Sequence, residues 1–138
     1  MKYYKRLKVY KASNVQYNPE CGTGYSYGWW QVVRNVNGKV LFNNYSYSNS
    51  TAKHQHKLRS LLSDLGIEVD LFVHAPWGLQ NLDAALQWHR NYIQKLGRDM
   101  AKRGSRKEKN EWRWREAVRH MYIVEELQQL NNLERRVA

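Results

Sequence analysis

The chain has 138 residues with a formal net charge of +11, a hydrophobic fraction of 42% and an aromatic fraction of 13%. Those proportions allow a packed core and exclude wholesale disorder. The single Cys21 excludes an intrachain disulfide and a cysteine-based zinc site. No long apolar run is present and "MKYYKRLKVYK" is too charged for a signal peptide, so a cytoplasmic protein with no membrane contact is expected.

The segment "YYKRLKVYK" (3–11) alternates and is rich in β-formers, which predicts one strand. One face would carry Tyr3, Lys5, Leu7 and Val9, the other Tyr4, Arg6, Lys8 and Tyr10. "SNVQYNPECGTG" (13–24) reads as loop, with Asn-Pro and two glycines. Residues 29–47 predict two strands around Asn37-Gly38, because both residues tolerate the positive φ of a type I′ turn. That turn sets Val36 opposite Lys39, Val33 opposite Phe42 and Trp30 opposite Tyr45. Val33, Val40 and Phe42 then share the core side, and the face of Val32 and Leu41 is partly covered as well.

Ser50 or Thr51 is expected to cap a helix that runs to about Leu65 and ends at Gly66. Leu58, Leu61, Leu62 and Leu65 form its buried stripe. "IEVDLFV" (67–73) predicts a strand, and Pro76 and Gly78 break the chain. A second helix is expected from about Asn81 to Arg103, with Leu82, Ala85, Leu86, His89, Ile93, Leu96 and Met100 inward. Ser105-x-x-Glu108 has the form of a capping box. A third helix runs to about Glu134 with Trp114, Val118, Met121 and Val124 as its apolar stripe, Trp114 rather than Trp112 packing inward. It would be roughly 40 Å long. The expectation is an α+β fold: a small mixed sheet (1–78) and a long C-terminal antiparallel helical hairpin (79–138).

The order strand, hairpin, helix, strand, helix resembles the ribonuclease H-like fold. "NPECGTGYSYGWWQVV" resembles that family's entry into its second strand, "YSYSNSTAKHQHKLRSLL" its first helix start, and "IEVDLFVHAPWGLQNL" its fourth strand with the helix that follows. The family's carboxylates hold two Mg²⁺ ions for phosphodiester hydrolysis. Carried over by position they fall at Ala12, His56 and His74, none of them an acid. The resemblance therefore implies the fold without the catalysis, with no cofactor and no metal. His56 and His74 remain candidates for acid–base work in a divergent nuclease, or are ordinary histidines near a strand end.

Charge is concentrated in two blocks. Residues 1–12 hold Lys2, Lys5, Arg6, Lys8 and Lys11 with no acid, and residues 90–119 hold eleven bases against four acids. Such blocks suit polyanions, above all DNA or RNA, and otherwise form a solvated face. Tyr4, Arg6, Lys8 and Tyr10 on one strand face combine rings for stacking with cations for phosphate, or else cover the sheet. Lys95, Arg98 and Lys102 form one helical stripe, and Arg106, Lys109 and Arg113 form another. They meet at Gly104-Ser105, flanked by Arg103 and Lys107. This geometry favours phosphate contact over base reading, hence salt-sensitive and weakly specific binding. The rival expectation is a small inhibitor or adaptor whose third helix docks a partner, or self-associates, through Trp112, Trp114, Val118, Met121, Ile123, Leu127 and Leu130.

Overall fold

A computed structural model describes residues Met1–Val137. It is an α+β structure in two compact units, Met1–Ala85 and Leu86–Ala138, with the boundary inside the second helix rather than at Gly78. The strands are β1 (Lys2–Tyr4), β2 (Val9–Ala12), β3 (Val15–Asn18), β4 (Thr23–Ser26), β5 (Trp30–Val36), β6 (Lys39–Asn43) and β7 (Leu71–Val73). The helices are α1 (Asn49–Asp64), α2 (Leu82–Ala101) and α3 (Lys107–Val137). One sheet takes all seven strands in sequential order, antiparallel from β1 to β6, with β7 parallel to β6. A parallel return needs a crossover, and α1 supplies it.

The single strand expected over 3–11 is two strands. Leu7 and Lys8 donate backbone N–H groups to the carbonyls of Tyr4 and Lys5, and Lys8 takes a φ of 53°, so the chain reverses there. The loop expected over 13–24 contains β3 and β4. The ribonuclease H-like order is not confirmed, since six consecutive antiparallel strands precede α1. The Asn37-Gly38 turn has the expected form, with φ of 51° and 83°, and the ladder pairs Val33 with Phe42 and Val36 with Lys39. It stops at the Val33–Phe42 pair, short of the Trp30–Tyr45 pair. Val32, Val33, Leu41 and Phe42 are all buried, so this hairpin is covered on both faces.

Cross-strand neighbours Tyr10, Tyr17, Gly24, Val33 and Phe42 line up over the sheet. Leu58 of α1 packs onto this row, and a side chain at Gly24 would meet Val33 Cγ2 at 3.0 Å and Leu58 Cδ2 at 3.2 Å. α1 is capped by Ser48, two residues before Ser50 and three before Thr51, and its Oγ accepts from the Thr51 N–H at 3.2 Å. It ends in a Schellman arrangement: Gly66 N–H bonds to the Ser63 carbonyl and Ile67 N–H to the Leu62 carbonyl. Leu65 is left exposed by this ending. Ile67 is thus spent on the helix end, and Asp70 Oδ2 accepts from the Val40 N–H at 2.7 Å. That is why only Leu71–Val73 of the expected 67–73 strand pairs as β7.

Buried Asn43 links β6 to the segment after β7, donating to the Ala75 carbonyl at 2.9 Å and accepting from the Ala75 N–H at 3.0 Å. Gln55 of α1 donates to the carbonyls of Asn43 and Tyr45, both at 2.7 Å. Each bond satisfies a buried group that would otherwise be costly to leave unpaired. In the second unit α2 and α3 pack together, with Arg90 donating to Gln128 at 2.6 Å and Tyr92 to Glu116 at 3.3 Å.

Candidate nucleic-acid interface

The elbow between α2 and α3 is tied from within. Ser105 Oγ donates to the Met100 carbonyl at 3.2 Å and accepts from Asn110 Nδ2 at 2.8 Å. Asn110 Oδ1 in turn accepts from Arg113 Nη1 at 3.0 Å. This chain replaces the expected capping box: the Ser105 hydroxyl is spent on the end of α2 and on Asn110, and the first α3 bond runs from the Asn110 N–H to the Arg106 carbonyl. Gly104, at a φ of 84°, ends α2.

Around this latch Lys95, Arg98, Lys102, Arg103, Arg106, Lys107 and Lys109 are exposed. Arg113 is the exception among the expected contacts, because it is half-buried and committed to Asn110. Lys102 pairs with Asp99 at 3.2 Å, a surface bridge of little energetic weight. The Asp99 carboxyl is held below its usual range, chiefly by the hydrogen bond from Lys102, with Lys95 and Arg113 adding to it. The field at the elbow is therefore positive from both helices.

Trp112 and Trp114 are 57% and 59% exposed, so the expected inward packing of Trp114 is overturned. The buried stripe of α3 is Ala117, His120, Ile123, Leu127 and Leu130 instead. Val118 and Met121 are exposed and Val124 is half-buried. Ile123, Leu127 and Leu130 are thereby lost to any docking surface, whereas Trp112, Trp114, Val118 and Met121 stay open.

The N-terminal candidate set comes apart. Tyr4 pairs with Val9, while Tyr10 sits between Tyr3 and Tyr17, so Tyr4 and Tyr10 point to opposite faces. Tyr10 contacts the Tyr3 ring at 4.7 Å and packs at the edge of the core. Arg6 lies in the turn, and Lys8 bonds Glu20 at 2.9 Å, which raises its pKa. One shared stacking-and-phosphate face does not form there.

Among the carried-over positions, Ala12 and His56 line one surface groove of about 390 Å³ with Asp64, and His74 is not part of its lining. Among the described residues no group of three or more His, Cys, Asp or Glu side chains is placed to hold a metal ion. Three other histidines take part in close side-chain contacts. His54 Nδ1 lies 2.6 Å from Ser26 Oγ, and burial, then Lys57, lowers its pKa. His89 and His120 are 0% and 2% exposed, with their Nδ1 atoms 2.8 Å apart. One of these nitrogens must carry the proton. His120 Nε2 is 3.4 Å from Glu116 Oε2, which favours a proton on Nε2, so that His89 donates and His120 accepts. Trp88 stacks on Tyr92 at 5.3 Å, and both rings contact His120. The inward position of His89 was legible from helical spacing; that of His120 was hidden by the misplaced α3 stripe.

Comparison with known proteins gives no match, whether to a protein family, a curated protein or a solved structure.

Proposed function

We propose that this is a non-enzymatic nucleic-acid-binding protein, acting in the cytoplasm, whose α2–α3 elbow contacts the phosphate backbone with low sequence specificity. The observation that carries the reading is the clustering of seven exposed cations around one internally latched turn. The N-terminus of α3 opens into the same turn, and its unpaired N–H groups add to the attraction for anions. A fixed turn holds these charges in register at low entropic cost. The long flexible side chains then suit a backbone better than a base edge.

Retention on a polyanion column, followed by salt titration against labelled single- and double-stranded DNA and RNA, tests this. Affinity should fall steeply with salt and vary little between sequences. Absence of binding at low salt would overturn it. A second reading, self-association through α3, is favoured by the exposure of Trp114, Val118 and Met121.

A further inference from the structure

The outward face of α3 carries a second, independent feature. Trp114, Val118 and Met121 follow each other at i, i+4 and i+7, the spacing of a two-helix seam, and all three are exposed with Tyr122 beside them. They lie across the helix from the stripe that packs on α2, so α3 is apolar on two sides. A row of Trp, Val and Met left in water is a marker of an interaction surface. The same spacing continues to Glu111 on one side and Glu125 on the other, both exposed, and exposed Arg115 flanks the row.

These charges select the occupant and its direction. We infer that the outer face of α3 pairs antiparallel with the same face of a second copy of this chain. In a parallel in-register pair Glu111 would meet Glu111 and Glu125 would meet Glu125, both like-charge contacts along the seam. In the antiparallel register that sets Val118 against Met121 of the second copy, Glu125 comes beside Arg115 of the second copy. Two-fold symmetry makes that contact twice. Glu111 then meets Gln128, and no like charges oppose each other along the seam. The paired stretch from Glu111 to Gln128 is about 26 Å long. This pairing does not depend on nucleic-acid binding.

Sedimentation equilibrium of the full chain, after nuclease treatment, tests it. In about 1 M salt, where bridging by polyanions is suppressed, the wild type should be a dimer. V118E/M121E should weaken association at least about tenfold with helix content unchanged. At about 0.1 M salt, R115E and E125R should each weaken the dimer about tenfold, and the double variant R115E/E125R should restore it. A wild type that is monomeric up to about 0.1 mM, or a dimer indifferent to V118E/M121E, would overturn the proposal. Failure of the charge swap to restore association would overturn the antiparallel register.

Discussion

The β1–β2 turn and the α2–α3 elbow start from the same ingredients, lysines and arginines interleaved with aromatic rings, and end differently. At the turn, the chain reverses after Tyr4, so the rings separate onto two faces, and Lys8 is engaged by Glu20. At the elbow, the hydrogen bonds that hold the turn use Ser105, Asn110, Arg113 and a carbonyl, leaving the other cations in solvent. Basic composition is thus a necessary feature of a polyanion surface but an insufficient one. What distinguishes the elbow is that its internal bonding and its charge are carried by different residues.

Charge reversal should separate the two regions most strongly. R106E/K107E/K109E should reduce affinity for a short duplex or single strand by roughly a hundredfold or more at moderate salt. K5E/R6E/K8E should change it much less in the same filter-binding or anisotropy assay. Equal losses would erase the distinction between the two regions. A second contrast is between the elbow surface and the interior of the hairpin. H120A leaves His89 Nδ1 without its 2.8 Å partner and should cost about 2 kcal/mol in denaturant unfolding. R106A, on the surface, should stay within about 0.5 kcal/mol.

Asn110 sharpens the account of the latch. N110A removes the link from Ser105 to Arg113 and should cost about 1 kcal/mol of stability, read from the same unfolding curves. The smallest effect is on pH. The pKa values of His54 and His120 are lowered, for His54 by burial and then Lys57, for His120 by burial despite Glu116. Unfolded, both take up protons near pH 6.5, whereas folded they resist. Stability should therefore be full above about pH 6.5 and decline as pH falls from there through the folded values. H120N should flatten part of that decline in thermal melts taken across the range.

Some elements were legible because a local signal agreed with the tertiary outcome. Asn37-Gly38 fixed its hairpin and register, and Leu58, Leu61 and Leu62 marked the buried side of α1. The first four strands were not legible as such. They are three or four residues long, too short for alternation to stand out, and the reversal at Lys8 uses a positive φ that the residue type does not advertise. The α3 stripe was misplaced because the helix has two apolar sides. The larger outward residues Trp114 and Met121 outweighed Ala117 and His120, which pack on α2 through small size and a paired imidazole. The elbow's cations could be read from the sequence, but the commitment of Arg113 to Asn110 could not, since that bond depends on the latch geometry.

No helix among the described residues is long and apolar enough to cross a membrane. The most direct test of the elbow is the slope of log affinity against log salt concentration for three proteins: wild type, R106A/K107A/K109A and K5A/R6A/K8A. Each lost phosphate contact removes about 0.9 from the slope on duplex DNA. The elbow variant should lose between about 2 and 3, and the β1–β2 variant less than about 1. An elbow variant with the wild-type slope would contradict the account.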